Sequence, residues 1–294
     1  EYRAKGESIT AGVLQIAVPH QGNAAEFTRD HLSAYYEAAL TLRRRDAHVP
    51  EPDPPSLSTI EQDPPPLARD LIGTYLEAAR LMGRRTAELH LLLAEPTDDP
   101  RFTAEPFTDF YRQGLYHGFV GQLSASISAL RRYARLLDEP VLSEARRVIA
   151  MEEDIRKRFE AMRERRVQAM RIRIHGDLHL SDLLYTGRDF VFIDFEGPTH
   201  RPLSERRIKR SPLRDVAGLL RSFHYMSHGV LHGQIPGVSA RPEQVPVLEA
   251  WGRFWNRWVG VAFLREYLAT ASGAKFLPRS LDQTAFLLYI YLLD

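Results

Sequence analysis

The chain has 294 residues, enough to bury a sizeable core, with 44% hydrophobic and 26% charged residues and a formal net charge of +1 at pH 7. That balance supplies no global basic field that would argue for nucleic acid or a membrane surface as partner. The absence of cysteine excludes disulfides and thiolate chemistry, and no apolar run approaches the ~18 residues of a membrane span, so a soluble cytoplasmic protein is the expectation. The sequence begins EYRAKGESIT, which is neither a signal peptide nor a start at Met, and so reads as a fragment or processed product.

Taken in order, Ile9 to Val18 reads as a short strand ending at Pro19, followed by a turn through Gln21-Gly22-Asn23. Phe27, His31, Tyr35 and Leu40 recur at helical spacing, consistent with a packed helix. Seven prolines between Pro50 and Pro66 predict an extended surface loop, because proline breaks both helix and ladder bonding. Leu67 to Leu93 forms a second helical block, with Leu71, Tyr75, Leu76, Ala79, Leu81 and Met82 on its buried face and His90 as a satisfied core histidine. More helix is expected between Thr108 and Leu137. Ser143 then caps one long helix reaching Met170, with a seam of Val148, Met151, Ile155, Phe159 and Met162 and a solvated face of arginines.

The chemistry concentrates between Arg171 and Gly197. Alternating Ile172 and Ile174 read as a strand that runs into His175-Gly176-Asp177, where glycine permits a tight bend. Asp182 follows, then a turn at Thr186-Gly187-Arg188-Asp189 and a second strand, Phe190 to Ile193, which stops at Asp194-Phe195-Glu196-Gly197. Phosphoryl transfer from ATP needs such a set: one carboxylate orients the acceptor hydroxyl, and oxygen ligands hold Mg²⁺ against the phosphates. Next, His200 to Arg210 carries five Arg or Lys residues, which either steer and stabilise phosphate or form surface ion pairs. Asp215 is expected to cap a helix and brace the Asp177 loop from behind. The series Trp251, Phe254, Trp255, Trp258, Phe263 and Tyr267 reads as core.

The run H-G-D-x-H followed by a strand and D-F-E resembles the catalytic and metal loops of the protein-kinase-like superfamily, in its aminoglycoside-phosphotransferase branch. The stretch Arg201 to Gly218 (RPLSERRIKRSPLRDVAG) with Leu219 to Tyr225 resembles bacterial maltokinases, particularly those fused behind trehalose synthase. So do Arg84 to His90, Glu105 to Thr108, Leu14-Gln15, Gln21 to Asn23 and Phe276 to Ser280, so the likeness runs along nearly the whole chain.

That resemblance implies an α+β, mostly α-helical fold: a protein-kinase-like C-lobe with a short catalytic β-hairpin, most of the N-lobe being absent. Residues 1–22 would be the end of the N-lobe and the hinge, and 23–294 the helical C-lobe, truncated at its C-terminus. Asp177 would be the catalytic base and Asp182 and Asp194 the Mg²⁺ ligands. The backbone near Gln15 and Ala17 would face the adenine of ATP. His175, His179, Glu196 and Arg206 would contact substrate or support the groups that do. The implied reaction makes maltose 1-phosphate from maltose, with a trehalose synthase, fused or separate, as partner.

The sequence departs from the family where Ser181-Asp182 stands for Gly-Gln, Pro198-Thr199 for Glu-Pro and Tyr289-Ile290 for Glu-Lys. Lys5 is the sole lysine before the expected hinge, and no G-x-x-x-x-G-K-[ST] loop exists. Two alternatives stay open: a kinase for another sugar such as glucosamine, and a non-catalytic partner domain of a trehalose synthase.

Overall fold

The structure is a computed structural model that describes residues 2–4, 7–9, 15–43, 60–199, 201–236 and 240–294. Two three-residue strands, β1 (Tyr2–Ala4) and β2 (Glu7–Ile9), form an antiparallel hairpin. Three helices follow: α1 (Ala24–Arg43), α2 (Pro66–Ile72) and α3 (Tyr75–Leu93). Strand β3 (Glu105–Pro106) leads into α4 (Asp109–Ala134), α5 (Val141–Ala150) and α6 (Glu152–Glu164). Then come β4 (Met170–Arg171), which pairs with β3, and the antiparallel hairpin of β5 (Leu183–Tyr185) and β6 (Phe190–Phe192). The last elements are α7 (Leu203–Arg206), α8 (Leu213–Leu231), α9 (Val245–Thr270) and α10 (Leu281–Leu293). No helix among the described residues is long and apolar enough to cross a membrane.

Local chemistry starts these helices where the sequence places the signals. Asn23 and Glu26 exchange backbone-to-side-chain hydrogen bonds of 3.0 Å each, a reciprocal cap on α1. Thr108 and Ser280 accept from the N–H groups of Tyr111 and Gln283 at 3.2 Å and cap α4 and α10. Pro66 sits at the first position of α2, where its missing N–H costs nothing.

The core lies where α3 and α9 pack along their length, with α8 and α1 against them. Every member of the aromatic series from Trp251 to Tyr267 is buried, as its spacing predicts. Tyr75 meets Trp255 with ring centroids 5.2 Å apart, and the Tyr35 hydroxyl donates to the Trp251 carbonyl at 2.8 Å. At the tightest crossing, Gly83 of α3 faces the Phe263 backbone of α9, with no room for a Cβ.

Three expectations change. Residues 15–20 carry no regular structure, and residues 10–14, the middle of the expected first strand, lie outside the described residues. Most of the proline-rich stretch does too; its described end is held by Arg265, which donates to the Ile60 carbonyl at 2.6 Å and pairs with Asp63 at 2.8 Å. The strand read at Ile172 to Ile174 reduces to β4 and one bridge between Ile172 and Arg210, and the hairpin is β5–β6 instead. The long helix is two helices, and Ser143 lies inside the first rather than capping it. The break at Met151 precedes Glu152, Glu153 and Asp154, three acids that favour a fresh helix N-terminus through the macrodipole.

Gly83→Ala should force α3 and α9 apart, because the new methyl would overlap the Phe263 carbonyl. The expected cost is about 1–3 kcal/mol, read by urea unfolding, whereas Gly114→Ala, with open space around it, should cost nothing.

Candidate active site

The site is built on one buried carboxylate. Asp215, three residues into α8, does not cap its own helix; its oxygens accept instead from the amides of His175 at 2.8 Å and Gly176 at 2.9 Å. The expected bracing of the Asp177 loop is therefore observed, and the expected cap is not. His90 is fully buried and lies 3.2 Å from Asp215 Oδ2 through Nε2 and 2.9 Å from the Tyr267 hydroxyl through Nδ1. The assignment that satisfies all three groups has Nε2–H donating to Asp215 and the Tyr267 hydroxyl donating to Nδ1. Burial, and then the charge of Asp215, raise the Tyr267 phenol well above its ordinary range, which keeps that proton in place. His90 is thus the satisfied core histidine its sequence context predicts.

Gly176 takes φ 90°, the bend its lack of a Cβ allows, and turns Asp177 out to solvent. Beyond it, Leu178 lays its carbonyl against Gly218 of α8 so closely that a Cβ there would overlap it, and Leu180 N–H donates to Ser222 at 3.2 Å. Arg221, one residue before that serine, sits within electrostatic reach of Asp177 and donates to the Tyr291 carbonyl at 2.8 Å. Arg221 lies within the Leu219 to Tyr225 stretch that carries the resemblance, but no role was read for it there; its place, one turn beyond the glycine on which the loop rests, is the structural signal.

Asp182 and Asp194 meet this loop through the β5–β6 hairpin. His175 is buried and its Nε2 donates to the Ile193 carbonyl at 2.7 Å, while Ile193 N–H donates to the Asp182 carbonyl at 2.9 Å. The residue before Asp194 is thereby pinned from both sides. Asp194 has φ 61°, the one described non-glycine residue in the left-handed region. That conformation costs about 1–2 kcal/mol for most residues with a Cβ, and aspartate is among the few side chains that adopt it singly.

Asp182 Oδ2 accepts from the His179 amide and faces His179 Nδ1, both at 3.0 Å, closing a one-turn 3₁₀ segment. Burial raises Asp182 above the usual carboxylate range; the His179 amide and the His179 and His175 rings oppose this, and the Asp194 charge adds to it. An acid whose ionisation is opposed by burial and by a neighbouring carboxylate suits a site that a cation completes. Among the described residues no group of three or more His, Cys, Asp or Glu can hold a metal alone. The donor set fits Mg²⁺ nonetheless, because that ion binds through one or two carboxylates completed by substrate phosphates and water.

The other candidates are more scattered. Gln15 and Ala17 are exposed, just before residues 21–23, which pair with β5 through Gln21 N–H to the Tyr185 carbonyl at 2.7 Å and Tyr185 N–H to the Gly22 carbonyl at 2.9 Å. Glu196 is exposed and its carbonyl accepts from Arg206 at 3.2 Å; Arg206 also donates to the Arg201 carbonyl at 3.0 Å. The basic segment is partly structural. Lys209 is buried and bonds Glu105 and the Pro100 carbonyl at 2.7 Å each, and Arg171 reaches the other Glu105 oxygen at 2.7 Å. Lys209 foremost holds the Glu105 carboxyl below its usual range.

No family model matches the sequence. Among solved structures, a glucosamine kinase in complex with glucosamine, ADP and inorganic phosphate matches 94% of this chain and 51% of its own, at 17% identity and a TM-score of 0.63. Two further crystal forms of glucosamine kinase match 92% of this chain at TM-scores of 0.59 and 0.61 and identities of 18% and 17%. The chain spans about half the length of each (51%, 52% and 50%). At such identity the likeness defines the fold: a mostly helical, partial kinase-like lobe with few short strands.

Two outcomes follow. Asp215→Asn would set an amide N–H₂ against loop donors and should cost about 1.5–3 kcal/mol in urea unfolding. Asp182→Asn should act oppositely. Because folding raises the Asp182 pKa, its ionised form carries a penalty that is present above the folded pKa and gone below the unfolded one. The variant is therefore expected to unfold at an equal or higher urea concentration at pH 7.

Proposed function

We propose that the chain is the catalytic lobe of an ATP-dependent sugar kinase. The observation that carries this reading is the tie from His175 Nε2 to the Ile193 carbonyl at 2.7 Å, which holds the Asp177 loop and the Asp194 turn in one unit. A fold shared with glucosamine kinase supports it.

In this reading Asp177 accepts a hydrogen bond from the acceptor hydroxyl and turns a lone pair of that oxygen toward the γ-phosphorus. As the new P–O bond forms and the bond to the ADP oxygen breaks, the hydroxyl proton passes to Asp177. Asp182 and Asp194 would hold Mg²⁺, which when bound neutralises charge on the β- and γ-phosphates. Residues 1–22 serve as the end of the N-lobe and the hinge, with the Gln15 to Ala17 backbone near adenine. His175 supports the loops rather than touching substrate, and His179 positions Asp182. Glu196, exposed beyond the metal turn, faces the sugar side. Arg206 holds the Glu196 carbonyl in place.

Two sugars compete. Maltose rests on the sequence motifs from Arg201 to Tyr225, and glucosamine on the structural neighbours, one of which contains it. A cytoplasmic location rests on the cysteine-free composition and the lack of a membrane-length apolar run, and association with a trehalose synthase on the motif resemblance.

Incubating the whole protein with Mg·ATP and a panel of sugars that includes both, and weighing the products, decides among them. Asp177→Asn should retain the wild-type melting temperature and lose about 10²–10⁴-fold in kcat, the range that a positioned general base supplies. Unchanged turnover in that variant would remove Asp177 from the chemistry.

A further inference from the structure

A small cavity lies behind the catalytic loop, lined in part by Gly176, Arg201, Glu205, Arg206, Arg210 and Arg214. Its charged lining is four guanidiniums against one carboxylate, and that carboxylate stands 3.6 Å from Arg201. Arg206 spends its hydrogen bonds on two carbonyls, and the carboxylate nearest Arg214 is Asp294 at 3.7 Å. Arg210 has no carboxylate in ion-pair range among the described residues. Burial lowers its pKa, and Arg214 and Arg201 push the same way against Tyr111 and Tyr291, although a guanidinium stays charged. Tyr111 and Tyr291 lie outside the lining, and the Tyr111 hydroxyl is the polar group that faces Arg210.

Against these four half-buried guanidiniums stand, among the described residues, only the carboxylates of Glu205 and Asp294, which leaves positive charge in excess at the cavity. The volume decides what would compensate it. At about 20 Å³ the cavity admits roughly one water-sized particle, which is too little for a tetrahedral phosphate or sulfate. We propose that this pocket binds a single halide ion, of which chloride is the ordinary example, and that the ion ties the basic segment carrying α7 to the bend at Gly176. A neutral water of the same size would leave the excess positive charge in place. The halide would therefore set how firmly the loop that presents Asp177 is held, without touching the reacting groups.

The test needs neither ATP nor sugar, so its failure is distinguishable from failure of the kinase reading. Thermal unfolding of the protein is compared in sodium bromide, sodium chloride and sodium gluconate at equal ionic strength. The halides are expected to raise Tm by about 2–4 °C over gluconate, the shift that a ligand at ten times its Kd gives a chain of this size. That increment should vanish in Arg210→Gln and, as a milder change on the partly exposed rim, in Arg201→Gln. It should persist in Arg207→Gln, an exposed arginine outside the lining. Crystals soaked in bromide should show an anomalous peak between Arg201, Arg210 and Arg214. Equal Tm values in halide and gluconate, an increment retained by Arg210→Gln and Arg201→Gln, or a peak-free map would each overturn the assignment.

Discussion

Everything at the site hangs on the Asp215 carboxylate. Burying an anion is unfavourable unless hydrogen bonds replace its water, and here two amides of the Asp177 loop and one imidazole do so. The dependence is mutual: without the carboxylate the His175 and Gly176 amides would be orphaned, and without them the acid would be a buried unpaired charge. A helix of the core thereby fixes the loop that projects Asp177, so an exposed residue inherits the rigidity of the interior.

The hairpin supplies the second half of the constraint. Strands of three residues have little stability of their own, so β5 and β6 must be held by what they touch. Residues 21–23 add a third rung on one side, and Arg85 of α3 grips Asp189 at the turn with two bonds of 2.8 Å. With the hairpin anchored at its tip and Ile193 clamped at its base, the strained backbone of Asp194 has nowhere to relax. Asp182 belongs to the same design: its carboxylate closes a turn through His179 while remaining close enough to Asp194 to feel its charge.

Much of this was legible in the sequence, and the gaps have physical causes. The acids, their order and the bend at Gly176 could be read because glycine, aspartate and a short apolar run each leave a local signature. The burial of Trp251 to Tyr267 followed from spacing alone. The strand at Ile172 failed because period-2 alternation marks which side chains are buried, and a chain can bury Ile172 by a single bridge to Arg210 without becoming a strand. The long helix failed because the apolar seam continues across Met151, whereas the acids at 152–154 carried the true boundary. Asp215 was placed behind the loop correctly, yet its anticipated cap was absent, since a carboxylate near a helix start can bond any donor within reach and here the loop amides win. Nothing local could have revealed the Tyr267 to His90 contact, whose partners are 177 residues apart.

That separation bears on how the molecule comes to exist during synthesis. The relay from Tyr267 through His90 to Asp215 joins chain segments 177 and 125 residues apart, so its members reach one another only after α9 has been made. A nascent chain that has already produced Asp177 still lacks Asp215, which holds the loop amides, and Tyr267, which completes the relay behind it. The order in which the ribosome delivers the residues therefore makes the Asp177 loop among the last parts to settle, unbraced until the C-terminal third folds behind it.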